Sequence, residues 1–266
     1  MKALFIGDIV GSGGRDAVHA LVPELRRELN AQFVIANAEN CAGGNGLTAK
    51  CAAEMAGAVD VFTAGDHVWD QKGFESEITT MPNVLRPANF SAKQPGRGWG
   101  VFPNPAGGSV AVIVLMGKVF MRESSYCPFE TVDRILKEIP ASVKNIFVDF
   151  HAEATSEKIA MGYFLEGRVT AVIGTHTHVP TADVCVLPGG TAYCSDAGMV
   201  GAARSVLGRE VDDVLYKFTT GMPGRLRVAE GPVKFCAVLV EFDYLTGRAV
   251  SASPVYREYN PQGAAK

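Results

Sequence analysis

Short apolar runs alternate with amphipathic stretches through most of the chain. Runs of about four to eight apolar residues indicate buried strands, and apolar positions three and four residues apart indicate helices. Their alternation predicts β-α-β units and a parallel sheet. The predicted strands cover residues 3–7, 33–36, 59–63, 110–115, 145–150 and 169–173, and the predicted helices cover 15–29, 48–57, 129–139 and 156–165.

The last third of the chain has a different pattern. Alternating apolar and polar positions there predict antiparallel strands, with a turn at Thr246-Gly247 between the last two. These strands cover residues 184–186, 191–193, 233–243 and 249–256. Residues 81–104 are rich in Pro, Gly and Asn and predict an irregular surface excursion, and Gly11 to Gly14 predict a tight turn. We expect one α/β domain, residues 1–266, whose sheet becomes mixed.

The composition is that of a globular protein. Of 266 residues, 47% are hydrophobic and 20% charged, and the formal net charge is −3. A net negative charge gives the protein no overall positive potential that would attract a nucleic-acid backbone. A nucleic-acid partner is therefore not expected, although binding of RNA through local groups stays open as an alternative.

Compartment and membrane association also follow from the pattern. The apolar run at the N-terminus stops at Asp8, too early for a signal peptide, and the run from Val110 to Met116 is far too short to span a membrane. Six cysteines lie apart without a C-x-x-C pair, which indicates reduced thiols. We expect a cytoplasmic protein with no membrane partner.

Candidate chemistry lies where the predicted strands end. Asp8, Glu39 with Asn40, and Asp66 with His67 follow the first three strands, and His151, His176 and His178 follow two later ones. Ligands of open α/β sheets bind at this edge. Alone, Asp8 or Glu39 would indicate a helix N-terminal acid and His151 a hydrogen-bonded loop residue. Together, mixed imidazole and carboxylate ligands favour two metal ions.

His176 and His178 are separated by one residue. In extended chain two such side chains project to the same side, roughly 7 Å apart at Cα. That spacing can serve two metal ions about 3.5 to 4 Å apart, with one imidazole on each. The pair therefore predicts the centre of the metal site.

Several long motifs carry a family resemblance. They are IGDIVG (6–11), IANAEN (35–40), GDHVWD (65–70), LRPANF (85–90), DFHAEATSEK (149–158), GTHTHVPTAD (174–183) and SDAGMVG (195–201). Together they resemble the YmdB-like branch of the calcineurin-like metallophosphoesterases over nearly the whole chain. The resemblance implies a four-layer αββα sandwich, with two sheets face to face between helices, and dinuclear phosphodiesterase activity on cyclic nucleotides.

The resemblance also implies a role for each matching residue. Asp8, Asn40 and His178 would hold one metal, and Asp66, His151 and His176 the other, with Glu39 bridging both. His67 would act as general acid without binding metal. Iron or manganese is favoured for the two ions, and zinc or magnesium are the alternatives.

One residue departs from the family pattern. The third strand is usually followed by G-N-H, but this chain has Gly65-Asp66-His67. Asp66 adds a third carboxylate, which lowers the net charge of a site with two divalent ions from +2 to +1. We expect tighter metal retention and weaker Lewis acidity.

The expected reaction is attack on phosphorus by a metal-bridging hydroxide, with His67 protonating the leaving oxygen. The expected substrates are small phosphodiesters, 2′,3′-cyclic or 3′,5′-cyclic nucleotides. Two alternatives remain: a phosphomonoesterase or nucleotide hydrolase with the same metals, and a metal-bound regulatory protein with weak turnover. The apolar C-terminal strands also leave room for a homo-oligomer.

Overall fold

Two β-sheets pack face to face between helices in the computed structural model, which describes residues 1–122 and 125–261. The four layers confirm the predicted αββα fold class. Residues 123–124 and 262–266 of the predicted single domain lie outside the described residues.

The element bounds agree with most of the predicted ones. The helices are α1 (Gly11–Leu29), α2 (Ala49–Glu54), α3 (Phe74–Glu77), α4 (Pro128–Glu138), α5 (Thr155–Phe164) and α6 (Val211–Thr220). The strands are β1 (Lys2–Ile6), β2 (Asp8–Ile9), β3 (Phe33–Asn37), β4 (Val61–Thr63), β5 (Val84–Leu85), β6 (Trp99–Pro103), β7 (Ser109–Met116), β8 (Asn145–His151), β9 (Ala171–Thr175), β10 (Cys185–Val186), β11 (Ala192–Cys194), β12 (Met199–Ala202), β13 (Val233–Phe242) and β14 (Ala249–Tyr259).

Each sheet is mixed. The first has the order β2-β12-β13-β1-β3-β4-β5, with β14 on β13, and the second has the order β10-β11-β9-β8-β7-β6. In the first sheet β1, β3, β4 and β5 run parallel, and in the second β7, β8, β9 and β11 do. The carboxyl ends of both parallel sets therefore face one edge of the sandwich.

One hydrophobic core lies between the two sheets. Phe5 and Phe33 from the first sheet and Phe147 from the second belong to it, and the Phe147 ring meets Phe242 edge-on at 5.5 Å between centroids. Burial of one such side chain contributes about 1.5 to 3 kcal/mol. Apolar faces of α1 and α2 cover the first sheet, and those of α4 and α5 cover the second.

Helix α1 begins at Gly11, so the predicted tight turn at Gly11 to Gly14 is wrong. Its glycines permit close packing: a Cβ on Gly14 would lie 2.5 Å from the carbonyl oxygen of Val200. The four residues thus form a first helical turn pressed against β12.

Three further predictions differ from the structure. The predicted excursion at 81–104 contains β5 and β6, and β6 pairs with β7 despite Pro103, which is tolerated because β6 is an edge strand. Strand β11 is antiparallel to β10 but parallel to β9, whereas antiparallel pairing was expected. Helix α6 was not predicted, and Val214 is its one buried residue.

Candidate metal centre

The carboxyl ends of β1, β3, β4, β8 and β9 meet at one edge of the sandwich. Each end delivers polar side chains to this edge because the strands run parallel within each sheet. The structure brings all the predicted site residues to this place: Asp8, Glu39, Asn40, Asp66, His67, His151, His176 and His178.

Glu39, Asp66, His151 and His176 form one compact group, whose candidate ligand atoms all lie within 4.8 Å of one another. Nε2 of His151 lies 2.8 Å from Oδ1 of Asp66 and 3.0 Å from Oε1 of Glu39. Nδ1 of His176 lies 3.3 Å from the same Asp66 oxygen. Such a set of imidazole and carboxylate donors suits Mn, Fe or Zn.

Asp8, Asn40 and His178 form a second group beside the first. Nε2 of His178 lies 3.2 Å from Nδ2 of Asn40 and 3.8 Å from Oδ1 of Asp8. Carboxamide oxygen and nitrogen exchange on a flip, so the oxygen of Asn40 can occupy the same position. Nδ2 of Asn40 is also 3.4 Å from Oε1 of Glu39, which therefore touches both groups.

The hydrogen bonds at Nδ1 of His151 and His178 orient both rings so that Nε2 of each faces the other proposed ligands. Nδ1 of His178 donates to the carbonyl oxygen of Leu207 at 3.2 Å. Nδ1 of His151 lies 2.8 Å from Oγ1 of Thr175, which in turn donates to Asp149 at 2.6 Å. These tautomers follow from the hydrogen-bond network, and such outer partners orient metal-binding histidines.

The electrostatics of the edge also favour a cation. Burial lowers the pKa of His178 to about 4, so its imidazole is neutral at pH 7. Burial raises the pKa of Asp8 well above its usual range, against an opposing effect of His151. Burial would also lower the pKa of His151, but Glu39 and Asp66 outweigh it and raise that pKa. The carboxylates thus need positive charge beside them.

One buried carboxylate oxygen has the properties of a metal-binding atom. Oδ1 of Asp8 is buried and has no hydrogen-bond partner in the part of the chain that the structure describes. A buried oxygen without a partner is costly, and a cation would compensate for that cost. Together with the neutral Nε2 of His178, this atom shows that the residues present fit metal ions.

The His-x-His pair does not have the predicted extended geometry. His176 has a φ of 101° and His178 a φ of 65°, both in the left-handed region that side chains other than glycine seldom adopt. The two imidazoles lie in different groups, His176 with Asp66 and His178 with Asp8.

His67 stands at the margin of both groups. Its Nδ1 lies 2.8 Å from Oδ2 of Asp70, and its Nε2 lies 3.7 Å from Asp66. Burial would lower the pKa of His67, but Glu39, Asp66 and Asp70 raise it overall. Its side chain is 33% exposed, so the ring can reach a bound molecule.

A cleft of about 310 Å³ opens above the two groups. This volume lies near the lower end of ligand pockets, which suits a small ligand. Three further side chains line this cleft that were not predicted as site residues. They are Glu153, which lies inside the motif DFHAEATSEK, and Leu207 and Arg209, which come from a distant loop. Glu153 lies 3.2 Å from Nε2 of His176, and Arg209 donates to the carbonyl oxygen of Gly44 and to Asn45, which lies beside His67.

Comparisons with known proteins extend over nearly the whole chain. A family model described as YmdB-like protein matches residues 4–255. A 2′,3′-cyclic-nucleotide 2′-phosphodiesterase of Bacillus subtilis is 43% identical over 251 residues, 94% of each chain. A crystal structure of a hypothetical protein from Thermus thermophilus superposes with a TM-score of 0.89 at 39% identity, covering 98% of this chain and 100% of the other. A crystal structure described as a novel phosphatase from Mycoplasma pneumoniae superposes with a TM-score of 0.90 at 31% identity, covering 98% and 95%.

Proposed function

The chain belongs to the YmdB-like family and is a phosphodiesterase, and we propose that it hydrolyses 2′,3′-cyclic nucleotides with two metal ions. The observation that carries this proposal is the convergence of two ligand groups on Glu39 below one cleft. The substrate class is proposed from the Bacillus subtilis relative, whose name states it. A 3′,5′-cyclic nucleotide is the alternative diester.

We propose that Asp8, Asn40 and His178 hold one metal, that Asp66, His151 and His176 hold the other, and that Glu39 contacts both. When bound, such ions lower the pKa of water and neutralise charge on phosphoryl oxygens. Iron or manganese is proposed, since both suit mixed imidazole and carboxylate ligands.

His67 is proposed as the general acid. Its Nδ1 contacts Asp70, which leaves Nε2 to protonate a leaving oxygen in the cleft that His67 lines. Bound cations would weaken the effect of Glu39 and Asp66 on its pKa, but Asp70 lies outside both proposed ligand groups. Asp70 therefore keeps the imidazole oriented in the metal-loaded protein.

A substrate panel run with measured metal content tests the proposed function. Manganese-loaded protein should hydrolyse bis(p-nitrophenyl) phosphate, and it should hydrolyse 2′,3′-cyclic nucleotides faster than 3′,5′-cyclic ones. A preference for 3′,5′-cyclic nucleotides would contradict the proposed substrate. Absence of turnover by metal-loaded protein would instead favour the regulatory alternative.

A second candidate function, phosphomonoester hydrolysis, rests on the Mycoplasma pneumoniae neighbour, which is described as a phosphatase. The same ligand groups can serve a monoester, because metal ligands determine phosphoryl chemistry and not the alcohol. Including 2′- and 3′-nucleoside monophosphates in the panel separates the two functions.

Asp66→Asn is expected to change both metal retention and rate. The variant removes one of three carboxylates while keeping the side-chain shape, so the bound ions keep more of their positive charge. We expect weaker manganese retention on dialysis against a chelator and higher turnover per bound metal at saturating manganese. A variant that retains metal as well as the wild type would show that the third carboxylate does not have this role.

A homo-oligomer is proposed with a second copy of this chain packed on α6. Most of the helix faces solvent, and exposed apolar side chains lie along it: Leu215 at 52%, Tyr216 at 53% and Phe218 at 76% exposed. Asp213 is paired with Arg227 of the same chain at 2.7 Å, and Asp212 lies in the first turn of the helix and Lys217 in its last. Antiparallel pairing of two copies would place Asp212 near Lys217 of the other copy and bury part of this apolar surface.

Phe218→Asp is expected to dissociate this oligomer, because a charge would be buried at its centre. Size-exclusion chromatography with light scattering measures the mass before and after the change. Val250→Asp, at an exposed position on β14, is the matched control and should leave the mass unchanged. A monomeric wild type would contradict the proposal.

A cytoplasmic location is also proposed. All six cysteines carry free thiols, as expected in a reducing compartment. Within residues 1–122 and 125–261, no helix has the length and apolar character needed to cross a membrane.

A further inference from the structure

A buried ion pair lies beside the loop that carries His176 and His178. Lys158 comes from α5 and Asp196 from the segment before β12, and each is 1% exposed. Nζ of Lys158 lies 2.8 Å from Oδ2 of Asp196. Neither residue belongs to the two ligand groups or to the cleft.

The ion pair holds the backbone on both sides of His176. Nζ of Lys158 donates to the carbonyl oxygen of Thr175 at 2.8 Å. Oδ2 of Asp196 accepts from the backbone N–H of Thr177 at 3.0 Å and from its hydroxyl at 2.8 Å. Oδ1 of Asp196 accepts from the N–H of Gly198 at 2.8 Å, which ties the carboxylate to its own segment.

The loop that these bonds hold is conformationally unusual. His176 and His178 both have positive φ, at 101° and 65°, on either side of Thr177. For residues other than glycine such angles persist only where the surroundings determine them. The bonds to Thr175 and Thr177 contribute to that determination, together with the bond from the N–H of His176 to Oδ2 of Asp8 at 3.2 Å.

Stability alone does not account for the ion pair. Removing two charges from water is costly, and apolar substitutes for a buried pair are often as stable. A buried pair can nevertheless impose one conformation on a segment that would otherwise adopt several. Here the segment carries two of the proposed ligands.

We propose that Lys158 and Asp196 are positioning residues, which hold His176 and His178 in left-handed conformations so that their imidazoles serve two different metal ions. This inference rests on the proposed two-metal function. It extends the site to residues that contact neither metal nor substrate.

The test is the double variant Lys158→Met/Asp196→Asn, which removes both charges and keeps the side-chain sizes. We expect a folded protein with manganese affinity about 10- to 100-fold weaker, measured well below its melting temperature. Saturating manganese should restore most of the turnover. Isothermal titration with manganese and the EPR spectrum of the loaded protein measure these effects without reliance on activity.

A matched control removes an ion pair far from the site. Arg26 lies 2.6 Å from Asp60, which accepts from the N–H of Val34 at 2.7 Å, near the amino ends of β3 and β4. Arg26→Met/Asp60→Asn should lower the melting temperature and leave manganese affinity unchanged. Equal loss of affinity in both double variants would show a general effect of destabilisation and would overturn the proposal.

A folded Lys158→Met/Asp196→Asn protein with wild-type manganese affinity would also overturn it. If that variant does not fold, Thr177→Val decides, because it removes only the hydroxyl bond to Asp196. Several-fold weaker manganese affinity is expected for Thr177→Val, and unchanged affinity contradicts the proposal. A wild-type protein that binds no manganese would refute the proposed function instead, so the two failures are distinguishable.

Discussion

Glu39→Gln is expected to release both metal ions and to lower diesterase turnover by about 10³-fold, since metal ions contribute several kcal/mol to the transition state. Glu39 is 1% exposed, and its Oε1 lies 3.0 Å from Nε2 of His151 and 3.4 Å from Nδ2 of Asn40. The substitution removes the charge that both ligand groups share. Elemental analysis and turnover of bis(p-nitrophenyl) phosphate measure the two effects.

Glu39 also has a structural contact that the experiment must separate. Its Oε2 accepts from the N–H of Gly65 at 2.6 Å and from that of His67 at 3.2 Å, and Gln can preserve only part of this. Glu138→Gln is the control for loss of one carboxylate, because Glu138 on α4 is 44% exposed, pairs with Arg134 and belongs to neither ligand group. Full metal content in a folded Glu39→Gln protein would show that the charge of Glu39 is not needed to bind the metal ions.

His67→Ala is expected to keep both metals and to lose about 10²- to 10⁴-fold in turnover of cyclic nucleotides, the usual contribution of a general acid. The ring stands outside the compact ligand group and is oriented by Asp70. Its loss removes the proton for the leaving alkoxide and leaves the ligand groups intact. Steady-state kinetics with elemental analysis provide the measurement.

The leaving group offers a sharper control for His67. p-Nitrophenolate is a weak base that departs without a proton, so His67→Ala should lower turnover of bis(p-nitrophenyl) phosphate much less than that of a 2′,3′-cyclic nucleotide. Equal losses on both substrates would argue against proton transfer by His67. If the His67→Ala protein contained no metal, His67 would be a metal ligand and not the general acid.

The parallel strands and their polar ends could be predicted from the sequence for a physical reason. Each strand is buried on both faces, so it appears as an apolar run, and the first polar residue after it marks the sheet edge. Asp8, Asp66 and His151 were found in this way. An apolar run in the sequence therefore indicates a buried strand.

Helix α6 and the left-handed conformations of His176 and His178 could not be predicted from the sequence. Helix α6 buries only Val214, so its apolar positions do not follow an inward-facing helical stripe. The φ of 101° at His176 depends on bonds from Lys158 and Asp196 to its neighbours, far apart in sequence. Such conformations are imposed by tertiary contacts, and no local pattern indicates them.

Glu153 and Arg209 were not predicted as site residues. Glu153 follows the same strand end as His151, but its position in the sequence did not indicate its contact with His176, and Arg209 reaches the cleft from a distant loop. A cleft wall is assembled from segments that are distant in sequence. Its residues are therefore visible only once the fold is known.

The most direct test of the central claim is a crystal structure of the manganese-loaded protein with anomalous difference maps. Two peaks are expected, one among Asp8, Asn40 and His178 and the other among Asp66, His151 and His176, both in contact with Glu39. A single peak at this edge, or peaks elsewhere in the protein, would contradict a two-metal centre.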